Sequence, residues 1–244
     1  MIPGVVELDF GAFDAITFDT YGTLIDWETG ILAAFAPALE ARGGGPDPEE
    51  LLARYAGHEA ALEAGPYLSY ADVLGRAFGL VCGELGFVPQ AGEVAAFSSS
   101  IGDWPAFPDS PDALAELKTT FRLGVITNCD DELFALSNAR LRVEFDWIVT
   151  AEQAGAYKPS PANFELAFRR IDLPRERILH VAQSLFHDHV PAKALGMTTV
   201  WVDRRRGREG FGATPPAQAV PDLVVPDMRT LAALAVPDPG AGGG

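Results

Sequence analysis

Cysteine is scarce in this chain: two residues in 244, Cys82 and Cys129, far apart and without a C-x-x-C spacing. That excludes a disulfide scaffold and a four-cysteine zinc module, and two free, buried thiols in a reducing compartment are expected. Positive charge is scarce too. Lysine and arginine number 18 against 34 aspartates and glutamates, a net charge of −16. An acidic surface repels phosphate backbones and anionic lipid, so neither nucleic acid nor a membrane is expected as a partner. No apolar run approaches the ~20 residues of a spanning helix. No basic segment followed by an apolar stretch opens the sequence, and a cytoplasmic location is expected. His187 and His189 stand at alternate positions, which do not share a helix face, and no cysteine or third histidine is near them. A zinc site is therefore not expected there. His58 and His180 show no partner in the sequence and are expected to be packing or surface residues.

What is present reads as a globular α/β protein. Hydrophobic residues make up 48% of the chain, which suffices for a sizeable core. Short runs of apolar, often β-branched residues predict strands at Phe13–Phe18, Leu123–Thr127, Trp147–Thr150, Ile178–Ala182 and Thr198–Val202. Such runs suit strands buried on both faces. Helical patterns alternate with them at Ser110–Thr119, Pro161–Ile171 and Val190–Leu195. Alternation of this kind predicts a Rossmann-like, parallel, doubly wound sheet.

The stretch from Trp27 to Ser100 departs from this alternation. It carries four Ala- and Leu-rich helical patterns, Ile31–Arg42, Glu49–Glu63, Tyr70–Leu85 and Gly92–Ser99, and no strand signal. An all-helical block between the first and second strands predicts an inserted cap. The expected organisation is a core of residues 1–26 and 101–235, a helical cap of 27–100, and a disordered tail of 236–244, where Gly and Pro dominate. An apolar helical cap leaves room for a homodimer.

Ligands of open parallel sheets bind beyond the carboxyl ends of the strands. The polar residues there are Asp19, Thr20 and Thr23; Thr127 and Asn128; and Ser184 and Asp188, with Lys158 before a helix. The predicted topology brings these separate segments together. Asp19 follows an apolar run and precedes a glycine turn, where a carboxylate serves as a nucleophile that forms an ester or acyl phosphate. Lys158 beside it would keep it ionised and neutralise an anionic small-molecule substrate. Thr127 and Asn128 offer a hydroxyl and an amide to substrate oxygens. Asp188 could position Lys158, orient the hydrolytic water or help to hold a cation, and Ser184 lies one helical turn before it.

Four ordered segments carry a family resemblance. FDTYGTL (Phe18–Leu24), VITN (Val125–Asn128), the YKP around Lys158 and the S-x-x-x-D of Ser184–Asp188 resemble the four motifs of the haloacid dehalogenase superfamily. The likeness runs from about Phe13 to Asp203, and the helical insert resembles the cap of that superfamily's first structural subclass. Phosphatases of the superfamily carry an acidic residue where this chain has Tyr21. A phenol is a poor replacement for that acid. The D-x-Y-G-T form instead resembles the L-2-haloacid dehalogenases, which expel halide without needing a proton. The resemblance implies that Asp19 attacks the halogen-bearing carbon of an (S)-2-haloacid. Water then cleaves the ester to release the 2-hydroxy acid, with no metal or other cofactor. It also implies that Thr20, Tyr21, Thr23, Arg54, Thr127, Asn128 and Ser184 bind substrate, Arg54 being the candidate cap arginine for the halide. Tyr67 and Tyr70 would add pocket wall. Four positions depart from the dehalogenase pattern: Thr127 for a serine, a mild change, Phe164 for an aromatic hydroxyl, Gln183 for a serine and Leu185 for an asparagine. Two other functions remain open at this point. One is a Mg²⁺-dependent phosphatase using Asp19, the Tyr21 carbonyl and Asp188 as ligands. The other is a non-catalytic binding protein on the same fold.

Overall fold

The computed structural model describes residues 8–208 and 210–236. From residue 237 on, the segment expected to be a disordered tail lies outside the described residues. The chain forms six strands among the described residues: β1 (Ala15–Phe18), β2 (Arg122–Thr127), β3 (Trp147–Thr150), β4 (Ile178–Ala182), β5 (Thr198–Val202) and β6 (Leu223–Val225). All pair in parallel in the order β3-β2-β1-β4-β5-β6. The five expected strands are present, and the parallel, Rossmann-like sheet follows from them. Strand β6 was not expected from the sequence. It has three residues between Pro221 and Pro226, too short a run to show a period.

Between β1 and β2 the chain is helical: α1 (Trp27–Glu40), α2 (Pro48–Glu63), α3 (Tyr70–Glu84) and α4 (Ala91–Ser99). Short polar residues start three of these helices. Asp26 accepts from the Thr29 amide, Asp47 from the Glu49 amide and Ser69 from the Asp72 amide. The helices close on an aromatic cluster. Phe78 stacks on Phe97 at 4.6 Å, and Phe35 meets Phe97 at 4.7 Å and Phe78 at 5.0 Å between ring centroids. Such pairs contribute about 0.5–1.5 kcal/mol each beyond their buried area.

After β2 follow α6 (Asp131–Leu141), α7 (Ala151–Ala154), α8 (Pro161–Ile171), α9 (Val190–Ala194) and α10 (Met228–Ala235), with α5 (Ser110–Leu117) preceding the strand. Strand alternation sends neighbours to opposite faces of the sheet. Val125 and Leu179 join the large core with Leu114, Leu117, Phe134 and Leu231, whereas Ile126 and Ile178 join a smaller core with Phe164, Ala167 and Ile171 of α8. No helix among the described residues is long and apolar enough to cross a membrane. Both cysteines are free and buried.

The strand order reverses at β1, where the chain runs outward through β2 and β3 and then returns to β4 on the other side. A crevice opens at such a reversal. Two glycines shape its rim. Gly22 has φ +88°, a backbone state that L side chains rarely adopt, and it turns the chain directly after Asp19. Gly30 lets α1 pack on Trp104, since a β-carbon there would sit 2.2 Å from the indole.

Candidate active site

Lys158 is the hub of the crevice. Its ammonium donates to Asp19 Oδ1 at 2.9 Å, to Asp188 Oδ1 at 2.7 Å and to the Ile126 carbonyl at 2.7 Å. All three protons are therefore engaged, and the side chain is 1% exposed. The backbone of Lys158 is fixed as firmly. The Asn128 side chain accepts from the Lys158 amide at 2.7 Å and donates to its carbonyl at 3.1 Å. A buried lysine needs such support, because desolvation disfavours its charge. Burial lowers its pKa, but Asp188 and Asp19 outweigh that effect and hold it above the ordinary value.

The two carboxylates are not equivalent. Asp188 is fully buried and receives a second bond at Oδ1, 3.0 Å from His180 Nε2. Burial pushes its carboxyl up, but Lys158 and His180 prevail and hold it well below the usual carboxylate range. Asp19 stands the other way. Burial raises its carboxyl, opposed by Lys158, and the Asp188 charge adds to the rise. A carboxylate with the higher pKa is the more basic, hence the better nucleophile of the two. Thr23 aims it, donating to Asp19 Oδ2 at 2.6 Å while accepting from the Gln183 amide at 2.8 Å.

The fourth segment is a π-helical turn, Leu185–His189, running into α9. Ser184 caps it, accepting from the His187 amide at 2.9 Å. The wide turn is a form of helix that recurs at functional sites. It leaves Asp188 Oδ2 buried with no hydrogen-bond partner, as are the hydroxyls of Thr20 and Thr127. Buried polar atoms without partners are costly, and of these three residues Asp188 lines the chamber beside Asp19 whereas Thr20 and Thr127 do not. Thr127 does not line the inner chamber with Asp19, so its expected contact with substrate has no support in the geometry.

Asp19, Lys158, Asn128, Ser184 and Asp188 line one chamber together with Tyr21. Its free volume is about 20 Å³. That is enough for about one water molecule. The phenol of Tyr21 does not point its hydroxyl at Asp19's partners: it lies 2.9 Å from Ser137 Oγ and 3.3 Å from Cys129 Sγ. Burial holds its pKa well above that of an ordinary tyrosine.

Arg54 is a correction. The expected halide-binding arginine does not reach the chamber; its guanidinium donates to Glu50 at 2.7 Å and to Glu84 at 2.9 Å on the outside of α2 and α3. Position on the helix decides this. Arg54 precedes Tyr55, which is fully buried, and so faces outward with the glutamates. The residues of α2 that do reach the chamber are Glu59 and Glu63. Glu59 accepts from the hydroxyls of Tyr55 and Tyr70, both at 2.8 Å. Glu63 lies 3.3 Å from Asn128 Nδ2 and 3.6 Å from His187 Nε2. Burial pushes Glu59 up to about 7, lifts Glu63 well above the carboxylate range and lowers His187 to about 4.

Several of these residues escaped the sequence reading. His180 was expected to be packing or surface; it sits in β4, with Thr17 Oγ1 3.0 Å from Nδ1 and Asp188 at Nε2. A histidine interrupting a strand of apolar residues was the signal that could have found it. Thr214, from the loop after β5, also lines the chamber and had no signal at all. Tyr70 is a wall residue, as expected.

A parallel sheet that reverses its strand order beside a buried carboxylate, with a helical insert after its first strand, makes this a Rossmann-like α/β protein with its crevice at the strand ends. The family model for haloacid dehalogenase-like hydrolases matches residues 13–194, and the chain belongs to that family. It is 27% identical to haloacetate dehalogenase H-2 of Moraxella sp. (strain B), over 91% of this chain and 97% of that one. It is 32% identical to a phosphoserine phosphatase of Thermus thermophilus, over 82% of this chain and 78% of that one. The structure of an L-2-haloacid dehalogenase from Xanthobacter autotrophicus superposes with a TM-score of 0.75 at 21% identity, covering 91% of this chain and 98% of that one.

Proposed function

We propose that the protein hydrolyses a carbon–halogen bond in a small 2-halo acid through an ester on Asp19. Residues 27–100 would act as the cap over a core of 1–26 and 101–235. The observation that supports this most directly is Tyr21, whose hydroxyl is bound to Ser137 and Cys129 where a phosphatase needs an acid. Halide is a leaving group that needs no proton, so a site without that acid suits it. The haloacetate dehalogenase likeness agrees.

In the first step Asp19 Oδ attacks the carbon and the carbon–halogen bond breaks, with its electron pair leaving on halide. Lys158 holds the reacting carboxylate charged and fixes its direction. In the second step one water attacks the carbonyl carbon of the Asp19 ester, oriented by the unpartnered Oδ2 of Asp188. The acyl carbon–oxygen bond breaks, one proton of the water goes to the departing oxygen to give the 2-hydroxy acid, the other passes to solvent, and the Asp19 carboxylate is restored. His180 and Lys158, both on Oδ1, hold the Asp188 carboxylate in place and leave Oδ2 without a protein partner. The test is halide release from (S)-2-chloropropionate, with mass spectrometry of the Asp19 peptide during turnover. A substrate-sized adduct on that peptide supports the ester; halide release by an Asp19→Asn variant at the native rate overturns it.

A second reading has one observation in its favour. Asp188 Oδ2 has no protein partner and Asp188 lines the chamber with Asp19 and Tyr21, so this chain could hold Mg²⁺ through Asp19, the Tyr21 carbonyl and Asp188, as the hard-cation chemistry of carboxylates allows. The ion would polarise a phosphoryl group. Phosphate release from p-nitrophenyl phosphate that stops with EDTA, with no halide release from 2-chloropropionate, would favour that reading.

A further inference from the structure

The charges around the chamber do not balance for an anion alone. Among the described residues its wall carries four carboxyl groups, Asp19, Asp188, Glu59 and Glu63, and one lysine or arginine, Lys158. That ammonium has no proton left to offer. Asp19 and Asp188 share it, and Glu59 is satisfied by two tyrosine hydroxyls. Glu63 is different. Its side chain is 6% exposed, yet it has two long contacts from Asn128 and a distant histidine. The buried Nε2 of that histidine, His187, makes no hydrogen bond at all.

Glu63 also stands at a junction. It lines the inner chamber and a second cavity of about 370 Å³ outside it, as do Lys158 and His187. The outer cavity is walled by Tyr67 and Tyr157, which stack at 5.4 Å between centroids, and by Phe186. A buried carboxylate at the neck of an aromatic mouth is the arrangement that binds organic ammonium groups: the carboxylate supplies the counter-charge and the ring faces the remainder.

We propose that Glu63 and the Tyr67–Tyr157 mouth form a binding site for the cationic end of an amine-bearing acid whose other end reaches Asp19. The substrate class is thus an ω-amino 2-halo acid rather than a plain 2-halo acid. Burial favours the protonated Glu63 in the empty site, and a bound ammonium at the neck donates to it and holds it as the carboxylate, its proton passing to solvent. This rests on the ester reading only for the nature of the bond that breaks.

Titration calorimetry of the native protein and a Glu63→Gln variant with two unreactive pairs tests the site: 4-aminobutanoate against butanoate, and 6-aminohexanoate against hexanoate. Gln keeps the shape and removes the charge. The expected result is at least tenfold tighter binding of one amino acid than of its matched fatty acid by the native protein, with that preference lost in Glu63→Gln. Equal binding, no binding, or a preference that survives in the variant overturns the proposal. Halide release from 2-chloropropionate and 2-chloro-4-aminobutanoate is followed separately. No halide from either, with the binding preference intact, removes the ester reading and leaves the ammonium site standing.

Discussion

The hydroxyls of Tyr21 and Ser137 lie 2.9 Å apart, both buried, so the ring of Tyr21 faces the chamber while its oxygen belongs to the core. That separation of ring from oxygen predicts the outcome of Tyr21→Phe. Loss of the buried hydrogen bonds to Ser137 and Cys129 costs about 1–2 kcal/mol. Turnover should stay within about threefold of native, since no proton is drawn from the phenol. A denaturant midpoint and a halide-release assay on the same preparation check both halves, and a hundredfold fall in rate would make the phenol a participant.

Lys158→Met should be far more damaging. It leaves Asp19 and Asp188 buried without the ammonium that bridges them at 2.9 and 2.7 Å. One partner removed from a buried ion pair costs about 3–5 kcal/mol. Asp19, already lifted by burial, would take up a proton and cease to be a nucleophile, with turnover falling by about a thousandfold or more. Lys158→Arg should not restore it, because a planar guanidinium cannot aim three donors at these three oxygens.

Glu59 gives a stability curve with a definite sign. Its folded pKa is raised from 4.5 to about 7 by burial. The folded state therefore holds a proton that the unfolded state releases, and stability contributed by this group is present below pH 4.5 and lost as pH rises through 7. In Glu59→Gln the amide oxygen still accepts from Tyr55 and Tyr70 and no charge develops. The variant should gain on the native protein between pH 4.5 and 7, by up to about 3 kcal/mol. Urea midpoints of both proteins at pH 4.5, 6 and 8 measure the gap; a gap that does not widen contradicts the buried-proton account.

Asp130 ties the insert to the sheet. It follows β2 and accepts from the Tyr70 amide at 2.8 Å and the Ala71 amide at 3.0 Å, the first amides of α3. Asp130→Ala removes both acceptors from a helix N-terminus, a loss of about 1–2 kcal/mol. Hydrogen exchange at Tyr70 and Ala71 should accelerate markedly while the amides of β1 remain protected. Unchanged exchange would mean that the latch is not what holds the insert.

Much of the core was legible because its strands are apolar on both faces and end in polar residues. Asp19, Asn128, Ser184 and Asp188 stand past such runs and Lys158 just before a helix, and the parallel topology gathers them. The cap was less legible. Glu59 and Glu63 are four residues apart on a helix rich in charge, a pattern shared with any solvated face, and Arg54 looked equally placed. Only packing distinguishes them: fully buried Tyr55 sets which side of α2 turns inward. The contribution of His180 was hidden for a related reason. A strand residue shows which face it takes, but not that Asp188 lies across from it. Thr214 comes from a loop held by the Ala213 amide on Glu28 and by its own hydroxyl on Gln183, long-range pairings with no local sequence signature.

A chamber of about 20 Å³ holds about one water and no 2-halo acid. Any acid that reaches Asp19 must therefore widen it, at the expense of walls that it shares with the outer cavity of about 370 Å³, Glu63 and His187 among them. The size of a substrate is thus felt as the work of displacing packed side chains, before any bond is broken.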